Sequence, residues 1–440
     1  MYICSVRGRR RGPAVAPLPW RSSLMNDAVR RRRQALFLVF LLAGISMSSW
    51  VTRTPAIRDR LDVSTAQMGL VLFGLSLGAM LGISCSGRLT SRYGTRPVIV
   101  WGTWLLLAGM VTVCFGGFAA SVPLVTTGLC AFGAGMGVGD VAVNVDGADV
   151  ERISGRTTLP PLHGFFSLGT VCGAGAGMAA TAAGVPVHWH LAAVVALSAA
   201  LLLHAVRAIP AGTGRTAPAE PRDDGRAARH PAVWKDGRLL LIGAIVLAMA
   251  LAEGSANDWL PLLMVDGHGM DPTAGSLVYA GFAAAMTVGR FTGTHVLDRY
   301  GRVTVVRASA ASGALGLLLV VVSDNPAVAG AAVLFWGLGA SLGFPLALSA
   351  AGESGPDETA RVSLVAVIGY VAFLVGPPGL GFLGEHIGLR PAMLVVLACV
   401  ACAAFLAPAV DTTRRSTAAG GAPLADGAPT GSGSPERSQP

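Results

Sequence analysis

The sequence predicts an all-α polytopic membrane protein with twelve transmembrane helices in two parallel six-helix repeats. Three observations carry this. The 440 residues are 52% hydrophobic and only 13% charged, with a mean hydropathy of +0.60, whereas a soluble domain carries about 25% charged residues. The apolar residues come in blocks of about twenty, the length of helix that crosses a bilayer core. Short sequence features also recur between the two halves at a nearly constant offset. Each block is expected to be helical, because lipid leaves an open strand edge without hydrogen-bond partners.

The chain opens on a basic segment, 1–33. Its Arg clusters precede any apolar core, so it is not a cleavable signal peptide, and Met1 and Met25 both stand as starts. An N-terminal bundle, 34–206, holds spans at 34–52, 66–86, 98–118, 122–146, 162–184 and 188–206. A Pro-, Gly- and Arg-rich linker follows at 207–238. The C-terminal bundle, 239–410, holds spans at 239–262, 273–294, 304–323, 327–350, 362–384 and 389–409. The Gly/Ser/Pro/Ala-rich tail, 411–440, is expected to be disordered.

Arginine sets the orientation. One side receives Arg30 to Arg33, Arg88, Arg92, Arg96, Arg152, Arg156, the linker, Arg299, Arg302, Arg307 and Arg361, while the other receives Arg53, Arg58, Arg60 and Arg390. Cytoplasmic loops collect positive charge, so both termini and the linker are expected in the cytoplasm. The formal net charge of +9 is thus topology and not a nucleic-acid footprint. Of seven cysteines, six lie in apolar blocks. Cys399 and Cys402 form C-x-x-C without a His or Asp nearby, and read as small packing residues. No phosphate-binding Walker pattern occurs, and no soluble segment is large enough for a catalytic domain. We therefore expect no enzyme activity, no metal and no cofactor.

The halves repeat each other. Gly87-Arg88-Leu89-Thr90-Ser91-Arg92-Tyr93-Gly94 follows the second span, and Thr294-His295-Val296-Leu297-Asp298-Arg299-Tyr300-Gly301 follows the eighth, offset by 207. Gly82 and Gly289 keep that offset. Trp50 and Trp259, and Gly135 and Gly339, keep it to within three residues. Parallel halves of this kind are a known transporter plan.

Short basic loops with R-x-G after spans two and eight, in a 6+6 chain with a central linker, resemble the major facilitator superfamily. The family's loop reads roughly G-x-L-A-D-R-x-G-R-[KR]. The first copy keeps Gly87, Leu89, Arg92, Gly94 and Arg96 but has Ser91 in place of the acid. The second keeps Asp298, Arg299, Gly301 and Arg302 but has Thr294 in place of the leading glycine. The resemblance implies alternating access in a bacterial inner membrane, with these residues latching the cytoplasmic ends of the halves. Gly139-Asp140-Val141-Ala142-Val143-Asn144 and Leu162-His163-Gly164-Phe165-Phe166-Ser167-Leu168-Gly169 resemble a bacterial branch distantly similar to fucose–proton symporters. Drug antiporters of the superfamily share an Arg in span four and a Pro in span five, where this chain has Leu129 and Ala174.

An ionisable group inside a span costs about 2.5–3.5 kcal/mol on insertion scales and usually lines a cavity. The cavity candidates are Asp140 and Asn144 on one face of span four, Glu253 and Asn257 on one face of span seven, His163 at the start of span five, and Trp50. Asp140 and Glu253 are candidate proton or solute sites, because burial favours the neutral form of a carboxyl. Asp140 could instead pair with Arg152 or Arg156. His163 reads equally as a gate or a rim residue, Asp258 as interfacial, and Arg53 as an anion site or an outward snorkel. Pro345, Gly376 and Pro377 are candidate helix bends, with Gly376 to Gly379 breaking span eleven. Gly133, Gly135, Gly137 and Gly139 are expected to let span four approach its neighbours closely.

These readings converge on a proton-coupled secondary transporter of a small polar solute such as a sugar or metabolite. Its partners would be the solute, protons and the lipid bilayer, with no nucleic acid, and we expect a monomer. The alternatives are a proton-driven exporter of drugs or secondary metabolites, and a membrane receptor that no longer transports.

Overall fold

The computed structural model describes residues 19–156, 158–215 and 233–411. The expected N-terminal segment up to residue 18, the middle of the linker and the tail beyond 411 lie outside the described residues. The first half contains α1 (Pro19–Val51), the short α2 (Thr54–Leu61), α3 (Thr65–Tyr93), α4 (Thr95–Phe118), α5 (Val122–Ser154), α6 (Leu159–Ala182) and α7 (Val187–Ala205). The second contains α8 (Gly237–Leu262), α9 (Pro272–Tyr300), α10 (Arg302–Val322), α11 (Pro326–Glu353), α12 (Glu358–Ile387) and α13 (Leu389–Leu406). Eleven of the long helices are apolar enough to cross a membrane. The remaining long one, α9, matches them in length but carries Arg290, His295, Asp298 and Arg299. The face of the bundle that holds residues 206–215 and 233–238 is termed the linker end, and the opposite face the far end.

The repeat is visible in the helix caps. Ser64 forms a capping box with Gln67 at the start of α3, and Asp271, offset by 207, accepts from the Thr273 and Ala274 amides at the start of α9. Gly94 and Gly301 close the same two helices with φ of +88° and +74°, a backbone region that glycine enters without steric penalty.

Helices within each half approach closely through small residues. A methyl at Gly137 would lie 2.5 Å from the Ala79 carbonyl oxygen of α3. One at Gly102 would lie 2.9 Å from the Gly135 carbonyl oxygen of α5. Gly133 and Gly135 are likewise occluded by α3 and α4, as the glycine stripe predicted, but nothing lies within 4 Å of a methyl at Gly139. That last glycine borders a cavity instead.

Two spans depart from expectation. α5 continues to Ser154 because its acids find partners near the linker end. Asp146, fully buried, accepts from Arg32 Nε (2.7 Å) and Thr95 Oγ1 (2.5 Å), and Glu151 accepts from the Thr158 and Leu159 amides. α12 runs unbroken through Gly376, Pro377 and Pro378, and α11 through Pro345. The expected break in span eleven is therefore absent. A proline removes one backbone bond, and inside a membrane bundle neighbouring helices compensate without ending the span.

Each linker terminus is fixed to its own half by a buried arginine. Arg32 also binds Asp149 (2.9 Å) and donates to Thr213 Oγ1 (3.2 Å), while the Thr213 carbonyl accepts from the Thr95 amide (2.8 Å). Arg361, 4% exposed, donates to Ser354 Oγ (2.7 Å) and to Asp236 Oδ2 (2.5 Å) at the cap of α8. Removing one partner of a buried pair strands the other charge, at about 3–5 kcal/mol. Asp146→Ala is therefore expected to lower the thermal unfolding temperature of the purified protein sharply. Arg92→Ala, an exposed site, should leave it nearly unchanged, and equal melting of the two variants would contradict this assignment.

Candidate functional site

The halves meet along two seams, α3 against α12 and α6 against α9. At the far end the seam is tight. Arg58 of α2 forms an ion pair with Asp266, and the Ala66 amide donates to Glu385 Oε2 (3.2 Å). Ser276 Oγ donates to the Thr52 carbonyl (3.2 Å). Gly69 and Gly381 touch backbone to backbone, and a methyl at Gly381 would lie 2.9 Å from Gly69 Cα. Towards the linker end, Phe291 covers Gly164, while α5 forms no extensive contact with α11 or α12. Val367 (55%) and Phe291 (58%) stand exposed there. The space between the halves is thus closed at the far end and open towards the linker end.

The polar cluster midway along this space is built on α8 and α9. Glu253 and Asn257 lie four residues apart and share a helix face. Arg290 of α9 donates from Nη2 to Glu253 Oε1 (2.9 Å) and from Nη1 to Ser167 Oγ of α6 (3.0 Å). Thr287 Oγ1 lies 3.3 Å from the Ser167 carbonyl. Tyr279, fully buried, donates from its hydroxyl to Asn257 Oδ1 (3.0 Å). One guanidinium therefore holds an acid of the second half and a hydroxyl of the first.

Sequence reasoning missed Arg290. Its signal was a cation within the apolar block 273–294, thirty-seven residues from Glu253 and hence outside any single-span search. Asp140 lies elsewhere. It lines a cavity of about 30 Å³ with Phe40, Thr103, Leu106 and Phe166, a volume large enough to hold water. No cation lies within ion-pair distance of Asp140 among the described residues; Arg152 pairs with Asp149 instead (2.6 Å). The Asn144 amide donates to the Asp140 backbone carbonyl (2.9 Å). His163 is exposed and meets Phe40 edge-on at 5.4 Å, so Phe40 joins the Asp140 cavity to the mouth of α6. Trp50 packs in the apolar core at 2% exposure.

Other readings change. Arg53 does not snorkel: it is 3% exposed and donates to His190 Nδ1 (3.1 Å) and the Val185 carbonyl (3.0 Å). Asp258 is not interfacial, at 7% exposure. Among the described residues, Arg92, Arg96, Asp298 and Arg299 of the expected loop latch form no hydrogen bond or ion pair across the halves. Gly87, Arg92, Asp298, Arg299 and Gly301 are exposed, Gly94 turns the chain and Arg96 opens α4. Arg302 binds Glu353 within its own half (2.6 Å).

Charged hydrogen bonds contribute about 1.5–3 kcal/mol each. Glu253→Ala is expected to lower unfolding stability by about that amount, and Arg290→Ala added to it should recover part of the loss. Additive losses in this double-mutant cycle would argue against the pairing. At the far end, a methyl at Gly69 would already lie 2.8 Å from the Pro377 carbonyl oxygen. Gly69→Leu should hold that end open. A Ser276→Cys probe in a cysteine-free background would then label severalfold faster with a membrane-impermeant maleimide, and unchanged labelling would refute the seal.

Comparison with known proteins agrees with this architecture. The model of the Major Facilitator Superfamily matches residues 35–364 and 260–430. The chain is 32% identical over 365 residues to an uncharacterized MFS-type transporter of Yersinia pestis, covering 83% of this chain and 91% of that one. Its fold is similar to that of a D-xylose–proton symporter, with a TM-score of 0.70, 12% identity and coverage of 88% and 99%. It is also similar to a variant of the E. coli fucose–proton symporter FucP, with a TM-score of 0.60, 18% identity and coverage of 86% and 98%. Matched along most of its length in sequence and in fold, the chain belongs to the Major Facilitator Superfamily and is a multi-pass membrane transporter.

Proposed function

We propose that this transporter moves a small polar solute, a sugar or related metabolite, across the bacterial plasma membrane in company with protons. The observation that carries the proposal is the Glu253–Arg290–Ser167 cluster, which joins the two halves beneath a sealed far end. A hydroxylated solute offers donors to Glu253 and acceptors to Arg290, and can replace Ser167 as the bridge between the halves. Asn257 and Tyr279 supply a neutral donor–acceptor pair on the same side. The positive-inside distribution makes the linker end cytoplasmic, so the conformation described is inward-facing. Rocking of the halves would then expose the same cluster outward.

Proton coupling rests on Asp140 and Glu253. Asp140 faces a water-sized cavity with no cation at hand. Glu253 is neutralised by Arg290 and becomes free to take a proton when the solute engages the guanidinium. The sugar–proton symporters of the same fold support both the solute class and the coupling ion.

The test is external pH in lightly buffered, de-energised cells expressing the protein, as a panel of sugars and small metabolites is added. Alkalinisation with one solute, absent in Asp140→Asn, is the expected result. Proton movement that survives Asp140→Asn together with Glu253→Gln would overturn the coupling assignment. Silence across the panel, with the protein present in the membrane, would replace uptake with export.

A further inference from the structure

Four consecutive arginines, Arg30 to Arg33, stand on α1 near the linker end, and they have different fates. Arg30 pairs with Asp27 (3.5 Å), and Arg32 is buried against Asp146 and Asp149. Arg31 is exposed and forms no hydrogen bond or ion pair among the described residues. It lines a groove of about 710 Å³ at the linker end of the first half. Clefts that hold small molecules have volumes of roughly 300–1,000 Å³. Every residue that lines this groove belongs to the first half, so it is separate from the space between the halves.

The groove has a cationic mouth and an apolar floor. α1 runs inward from the linker end and α7 returns to it, so Arg31 shares the mouth with His204 of α7 and with Arg207 just beyond. Arg207 is also exposed and has no hydrogen bond or ion pair among the described residues. No acid lines the groove. Leu38 lies two turns inward of Arg31, about 10 Å along the helix. Beside it Phe37 stacks on Phe165 of α6, with ring centroids 4.6 Å apart and planes 12° from parallel. The Arg33 guanidinium lies over the Phe37 ring at 5.6 Å, and its Nε is buried without a partner among the described residues. Cations at the end of α7 also suit that helix's dipole. Arg31 and Arg33 lie well inside α1 and gain nothing from it.

We propose that this groove binds an anionic phospholipid from the leaflet at the linker end. The phosphate is held between Arg31 and Arg207, with His204 at its side, and an acyl chain runs inward over Leu38 and the Phe37–Phe165 pair. A phosphate diester brings one negative charge and acceptor oxygens suited to guanidinium donors. Basic pockets between spans on the cytoplasmic side recognise lipid headgroups in this way. A zwitterionic lipid would bring its own ammonium into a mouth that is already cationic. A soluble phosphate ester would leave the aromatic floor uncovered. Bound here, the lipid ties α1 to α7 without touching the Glu253–Arg290 cluster, so the inference does not rest on the solute or on proton coupling.

The test is native mass spectrometry of the full chain in detergent, titrated with phosphatidylglycerol or phosphatidylcholine. The wild type is expected to retain phosphatidylglycerol in preference to phosphatidylcholine. Arg31→Gln together with Arg207→Gln should raise the Kd for phosphatidylglycerol by about tenfold or more. Arg88→Gln together with Arg156→Gln removes the same charge from exposed positions outside the groove and should leave that Kd nearly unchanged. Leu38→Trp keeps every charge but fills the floor, and should also weaken binding. Both arginine pairs are exposed, so their unfolding temperatures without lipid should match the wild type. Unchanged binding in either groove variant would overturn the site, and equal loss in the two arginine pairs would replace it with diffuse surface charge. Equal retention of phosphatidylcholine would refute the charge argument. Displacement of phosphatidylglycerol by an equal concentration of free glycerol phosphate would refute the lipid.

Discussion

A charge held in hydrocarbon must find an opposite charge, water or a proton, and this condition orders the interior of the molecule. Arg32 with Asp146, Arg361 with Asp236 and Arg290 with Glu253 each satisfy it by pairing. The first two pairs lie at the linker end and tie the interhelical loops to their own halves. The third lies between the halves and is accessible to whatever enters the central space. Desolvation makes all three pairs weak contributors to net stability but expensive to break. The same energetics that hold the outer pairs permanently make the central pair sensitive to a competing polar ligand, which supplies the hydrogen bonds that either partner would lose.

Close packing is the second constraint, and it acts differently within and between the halves. Glycines on α3, α4, α5 and α6 bring backbones together inside the first half, and Gly316, Gly337 and Gly339 of α10 and α11 do so inside the second. Such seams have no room to slide without opening a void, so each half moves as a unit. Between the halves, the corresponding intimacy at the far end is confined to Gly69 with Gly381 and the few bonds around them. The ion pair there and the bond to Glu385 are exposed to water and cost little to exchange for hydration, whereas the bond to Thr52 is buried.

Much of the fold was legible in the sequence because its signals are local. Twenty-residue apolar blocks, Arg asymmetry and the repeated R-Y-G turn each report on a neighbourhood, and Gly94 and Gly301 carry the positive φ that such a turn requires. The site was legible only in part. Glu253 and Asn257 were found because they interrupt an apolar helix. Their partners Arg290, Ser167 and Tyr279 come from other helices, and no period within α8 points to them. Asp258 was misjudged for a related reason. Its position along α8 gives depth in the membrane, but whether it faces water or protein depends on which neighbours α8 packs against. The prolines of α12 misled in the opposite direction, since a signal that ends a helix in water is tolerated within a bundle.

The placement of charge and the placement of the seams together constrain the order of events. The far end is closed by an ion pair and hydrogen bonds, and Asp140 lines a cavity within the first half. A carboxyl that alternates between water and a dry interior couples its protonation to the conformation, because each state sets a different cost on the charge. The Glu253–Arg290 pair joins the second half to Ser167 of the first within that space. A pair whose charges balance tolerates closure of that space, whereas an acid without a cation carries a cost that depends on the water around it.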